Sequence, residues 1–206
     1  MIKTYLLLFF SLSSCLIPLL AKPIDVFFGT GGRGAEGIYY ATFNPENGKF
    51  TPSKLAAEIG SPGFLTTHPN GEILYSLGRW DGGSGALGYH IGPKGELKEF
   101  TRIACPDGGG AHIAIHPSGK FLLTAQYGGG SVAMFPLDKD GHLQKPTVIE
   151  HEGGSKVVER RQESPHPHWT GVSPDGKYAL IPDLGLDQIV IYKVDSKEPS
   201  ISKHGV

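Results

Sequence analysis

Short apolar runs separated by glycine-centred turns recur along the chain from Ile24 onward. The runs favour Val, Ile, Phe and Tyr and are too short to display a helical period, so they predict strands. Three segments share one layout: FLTTHPNGEILYSLG from Phe64, HIAIHPSGKFLLTAQ from His112 and WTGVSPDGKYALIPD from Trp169. In each, Pro presets one turn residue and a glycine (Gly71, Gly119 or Gly176) accepts positive φ, which predicts an antiparallel hairpin. A second layout alternates with the first, in GIYYATFNPENGKFT from Gly37, GALGYHIGPKGELKEF from Gly85, GSVAMFPLDKDGHLQK from Gly130 and DQIVIYKVDSKEPSIS from Asp187. These predict further hairpins, with regular turns at Gly48, Gly95 and Gly141 in the first three.

Joined in order, the layouts give four-strand units over 64–103, 112–150 and 169–206, preceded by three strands between Ile24 and Glu58. Four-stranded units at this period are the signature of an all-β propeller. Propellers close with about 4–8 blades, so the pattern predicts an incomplete ring whose missing blades follow the last residue. The composition agrees with a turn-rich β-protein, with Gly at 30 and Pro at 16 of 206 residues. A net charge of -1 with 19% charged residues excludes a basic nucleic-acid footprint and an acidic disordered tail.

Tight hairpin turns fall on one face of such an arc, and the second-to-third-strand loops fall on the other with the crossovers between blades. That second rim is predicted to carry irregular loops: Arg79 to Gly85, Cys105 to His112, Tyr127 to Ser131, Asp183 to Asp187 and the segment from His151 to His168. The spacing from Gly48 to Gly71 is 23 residues and from Gly95 to Gly119 is 24, but from Gly141 to Gly176 it is 35. The third crossover therefore holds an insertion, HEGGSKVVERRQESPHPHW, that delivers side chains to the mouth of the central channel.

The first residues predict a different fate from the rest. Lys3, an apolar run from Tyr5 to Leu20 and the small residue Ala21 read as a secretory signal peptide over 1–21, leaving 22–206 as the propeller domain in an extracytoplasmic compartment. An uncleaved anchor and a lipobox-like Leu12-Ser13-Ser14-Cys15 are the competing readings, and membrane attachment is expected only if the signal is retained or Cys15 is lipidated. Cleavage after Ala21 leaves Cys105 as the single cysteine, which excludes an intramolecular disulfide.

The insertion concentrates Glu159, Arg160, Arg161, Glu163, His166 and His168. A charged insert is by default a solvated loop, but its place before an innermost strand favours chemistry. Two histidines two apart on extended chain can face one way and supply a base beside a donor. Arg161 offers a planar donor fork for a carboxylate, a phosphate or a developing oxyanion. Metal coordination is the rival use of His166 and His168 with His112, although no ligand set has the spacing of a structural zinc site. His68 and His116 precede turn prolines and read as structural. The glycine runs at 108–110 and 128–130 read as loops that let backbone approach a ligand at the mouth. Tyr127 and Trp169 read first as packing residues near it.

The segment RQESPHPHWTGVSPDGKYALIPDLGLDQIVIYKVD, Arg161 to Asp195, resembles the central signature of the lactonase family of seven-bladed β-propellers. HIAIHPSGKFLLTAQYGGGSVAMFPLDKDG, His112 to Gly141, resembles the preceding blade of the same family. That family includes propeller-type 6-phosphogluconolactonases and carboxymuconate cyclases, and the match covers the N-terminal half of a complete member. The resemblance implies hydrolysis of a sugar lactone, a small-molecule substrate, without a cofactor or metal and by a protein that is monomeric when complete. It implies His166 or His168 as general base and Arg161 as binder of an anionic group or of the oxyanion. Glu163 is the alternative base, or the group that orients a histidine, while Gln162, His112 and Tyr127 contact substrate. A signal peptide makes an unphosphorylated lactone a fitting substrate, because a phosphorylated intermediate belongs in the cytoplasm. The alternatives are a secreted propeller that binds carbohydrate or protein without chemistry, and a lactone-forming cyclase or isomerase on the same site.

Overall fold

The computed structural model describes residues 22–32 and 34–206. The expected signal peptide and Cys15 lie outside the described residues. The first sheet contains β1 (Ile24–Phe28), β2 (Gly37–Asn44), β3 (Lys49–Phe50) and β4 (Lys54–Glu58), with β2 central and β3 and β4 sharing its far edge. Three complete four-stranded antiparallel sheets follow. They are β5 (Leu65–Thr67), β6 (Ile73–Trp80), β7 (Gly83–Ile91) and β8 (Leu97–Ala104); then β9 (His112–Ile115), β10 (Phe121–Gln126), β11 (Ser131–Pro136) and β12 (Thr147–Glu150). The last holds β13 (Gly171–Val172), β14 (Tyr178–Asp183), β15 (Gln188–Asp195) and β16 (Ser200–Gly205). In every complete sheet, strands pair in chain order, as the repeated hairpin layout predicts. All six turn glycines have positive φ, from 68° at Gly48 to 84° at Gly141. The architecture is an incomplete β-propeller of stacked blades.

Strand alternation divides the core among the spaces between blades. On β6, Leu74 packs toward the first sheet with Ile38, Leu87 and Tyr89. Its neighbours Ile73, Tyr75 and Leu77 face the next blade, meeting Ile113, Leu122 and Phe135. On β10 the pattern repeats, because Phe121 and Leu123 turn away from Leu122 to join Ile181, Val190 and Tyr192 of the last blade. Both faces of each middle blade are therefore covered, which explains why β10 reads as an unbroken buried run rather than an alternating one.

Histidines at the hairpin turns tie blades together. His68 Nε2 donates to the Gly119 carbonyl at 3.2 Å, and His116 Nε2 donates to the Gly176 carbonyl at 2.9 Å. Each reaches the equivalent turn of the following blade. Ser173 holds this position in the last blade and bonds locally to Asp175 instead. Two loop expectations change. Arg79 to Gly85 is almost wholly strand, because β6 and β7 run together to an Asp81-Gly82 turn. In the 128–130 run, Gly129 is packed on by Asp107 and Gly130 by Pro165, so protein atoms occupy the space expected to admit a ligand.

Candidate active site

The insertion begins at the end of β12 and returns to β13 along the edge of the last blade. His151 N–H donates to the Gly130 carbonyl at 3.0 Å, and Ser155 N–H donates to Gly185 at 2.9 Å. A loop then closes on itself: Lys156 N–H donates to the Gln162 carbonyl, and Arg161 and Gln162 N–H groups share the Val158 carbonyl. Gln162 is 7% exposed, with Oε1 accepting from Val158 N–H at 2.7 Å and Nε2 donating to the Leu184 carbonyl at 2.8 Å. Its amide clamps the loop to the blade. One hydrogen bond at each end of the amide is thus made within the protein.

Beyond the clamp, the PHPH segment extends the inner edge of the blade. His168 N–H donates to the Pro182 carbonyl at 3.0 Å, Leu184 N–H donates to His166 at 3.1 Å, and Pro167 bridges Asp183. Both imidazoles lie against Tyr127. His166 stacks on the ring with centroids 4.7 Å apart, and His168 meets it edge-on at 5.4 Å. His166 Nδ1 is 3.0 Å from the Tyr127 carbonyl, which can only accept, so Nδ1 carries the hydrogen. In the neutral ring Nε2 then holds a lone pair, the form a general base requires.

His112, at the start of β9, completes the group. Its Nδ1 accepts from Thr170 N–H at 3.4 Å, and its ring lies 5.4 Å from that of Trp169. Burial pushes its pKa below the usual histidine value, and neighbouring His168 lowers it further. Neutral His112 thus keeps its hydrogen on Nε2, where it can donate. Arg161 and Glu163 are exposed, and neither side chain has a hydrogen-bond or ion-pair partner among the described residues. The structure therefore gathers His166 and His168 on Tyr127, sets His112 within electrostatic reach of His168, and leaves Arg161 and Glu163 free on the same insertion. Among the described residues, no three His, Cys, Asp or Glu side chains are grouped to hold a metal ion. Cys105 is buried, and burial raises its thiol pKa, so it is held as a thiol.

A buried triad beneath the histidines escaped sequence reasoning. Asp183 Oδ1 accepts from the backbone N–H groups of His166, Gly185 and Leu186 at 2.8, 2.9 and 3.1 Å. Asp183 Oδ2 accepts from His151 Nδ1 at 2.7 Å, and His151 Nε2 accepts from the Tyr192 hydroxyl at 2.8 Å. Burial pushes the Asp183 pKa up, but the donors from His151, His166 and Leu186 outweigh it and leave the value below an ordinary aspartate. Burial and the Asp183 charge push Tyr192 up to about 12. The DLGLD loop signalled Asp183 by position, but no local signal marks His151, which lies 32 residues away.

The chain matches the family described as Lactonase, 7-bladed beta-propeller, over residues 25–205. It belongs to that lactonase family. A Bacillus subtilis (strain 168) relative named 6-phosphogluconolactonase is 36% identical over 162 residues, which is 78% of this chain and 46% of the relative. The solved periplasmic gluconolactonase of Pseudomonas aeruginosa superposes with a TM-score of 0.79 and 27% identity, over 90% of this chain and 56% of that one. A solved Bacteroides fragilis chain gives a TM-score of 0.80 at 29% identity, over 89% of this chain and 55% of its own. The chain thus spans about half the length of these lactonase-family relatives.

Proposed function

We propose that the protein hydrolyses a sugar lactone at the rim of the propeller. Water is held at His166 Nε2, which removes its proton as the oxygen attacks the lactone carbonyl carbon. Arg161 stabilises the tetrahedral oxyanion, or holds an anionic group of the substrate. The bond from that carbon to the ring oxygen then breaks, and the imidazolium returns the proton to the ring oxygen, giving the open hydroxy acid. His168 assists this transfer, His112 Nε2–H donates to a substrate oxygen, and Tyr127 orients both histidines. Glu163 is the alternative base. The observation that carries this reading is the bond from His166 Nδ1 to the Tyr127 carbonyl, because it leaves Nε2 free to accept a proton.

Support for the substrate class comes from the named activities of the Bacillus and Pseudomonas relatives, one acting on a phosphorylated and one on an unphosphorylated sugar lactone. We favour the unphosphorylated lactone, with residues 1–21 as an export signal and 22–206 as the exported domain. The test is pH-stat hydrolysis of glucono-1,5-lactone and its 6-phosphate, with spontaneous opening subtracted. His166→Gln is expected to lower kcat about 100-fold or more, the scale of a lost general base. A variant that retains the parental rate would overturn the assignment.

A further inference from the structure

The three repeats place an aromatic ring at one equivalent position, at the start of each innermost strand or within two residues before it: Phe64, His112 and Trp169. Their rings form a continuous series, with Phe64 4.4 Å from His112 and His112 5.4 Å from Trp169, centroid to centroid. Buried aromatics of the core, such as Tyr75 and Phe121, are fully covered, yet Phe64 and Trp169 are each 44% exposed. Trp169 is seated rather than loose, because its indole lies directly on Gly171, where any Cβ would overlap it. Solvent exposure is thus built into two flanking rings, with a polar ring between them whose Nε2–H is free to donate.

We propose that Phe64, His112 and Trp169 form a stacking platform for the C–H face of a neutral six-membered sugar lactone. A ring whose hydroxyls are equatorial presents axial C–H groups, which the electron-rich aromatic faces attract. Between them, His112 supplies a donor for a ring or hydroxyl oxygen. The platform carries no formal charge, so it reads the sugar ring rather than a phosphate. This deepens the hydrolase reading by naming what holds the substrate, and it rests on that reading for the reaction.

The test uses D-glucono-1,5-lactam, a ring analogue that does not open, in a Trp80→Phe background that leaves Trp169 as the only tryptophan. Lactam binding is expected to change Trp169 emission saturably. By calorimetry, Trp169→Leu is expected to weaken binding about tenfold and Phe64→Leu about threefold, while Trp169→Phe stays within about threefold of the parent. The platform is overturned if the leucine variants bind as tightly as the parent, if binding leaves Trp169 emission unchanged, or if lactone is hydrolysed without any lactam binding. Saturable binding through the two rings by a protein that hydrolyses neither lactone would instead reject the hydrolase reading and leave the platform standing.

Discussion

Removing the carboxylate at Asp183 strips four buried donors of their acceptor at once: the backbone N–H groups of His166, Gly185 and Leu186, and His151 Nδ1. The Asp183 side chain is 0% exposed and that of His151 is 3%, so water does not replace the lost bonds without rearrangement. Each orphaned buried donor costs about 1–3 kcal/mol, and relaxation keeps the sum below simple addition. Four such partly additive losses around one buried carboxylate put Asp183→Ala at about 3–5 kcal/mol. With a urea slope of about 2 kcal/mol/M, the unfolding midpoint drops by about 2 M. Asp183→Asn keeps an oxygen for the three backbone donors, and its amide can donate to His151 if the imidazole proton moves from Nδ1 to Nε2. Its expected loss is therefore smaller, about 1–2 kcal/mol. Nitrogen-15 NMR of His151 reports that tautomer change. Asp183 also gives the fold an acid limit: its folded pKa lies below the ordinary 3.8, so its stabilisation is complete above that value and is lost as pH falls through the folded value. Asp183→Asn removes this dependence. Urea midpoints for Asp183→Ala within about 0.3 M of the parent would refute the role of Asp183 as common acceptor of the four donors.

Four further outcomes follow from the same geometry. Leu123→Ala, at a fully buried position between the third and fourth blades, is expected to cost about 2–5 kcal/mol in urea unfolding. His116→Ala removes the link to the Gly176 carbonyl and should cost about 1–2 kcal/mol, measured in the same way. Because the folded pKa of His112 lies below 6.5, its neutral form stabilises the fold fully above that pH and the benefit declines as pH falls through the folded value. His112→Gln should therefore flatten the stability difference between pH 7.5 and pH 5.5. Gly171→Ala displaces the Trp169 indole, which tryptophan fluorescence should register as an altered emission maximum even without ligand.

The repeated turns made the fold legible because six of the hairpins are specified locally, by turn glycines at fixed positions whose positive φ values the structure then takes. The insertion was legible for the same reason, as an excess of residues between two turn glycines. What the sequence concealed depends on distance along the chain. Gln162 sits among charged residues and looks available, yet its amide is bonded to Val158 and to Leu184, 22 residues on. His151, Asp183 and Tyr192 meet only because β12, β14 and β15 converge at the rim, and His151 bonds Tyr192 across 41 residues. The aromatic series was half visible: the repeat alignment placed Phe64, His112 and Trp169 in register, but only tertiary structure brings successive blades close enough for their rings to meet.

A lactone-opening base at His166 is tested by acid release from glucono-1,5-lactone. Parent protein, His166→Gln and Arg161→Gln are compared in a pH-stat at equal concentration, against the uncatalysed rate. The parent is expected to accelerate hydrolysis, with near-complete loss in His166→Gln and a marked loss in Arg161→Gln. Acceleration that survives both substitutions would contradict these roles.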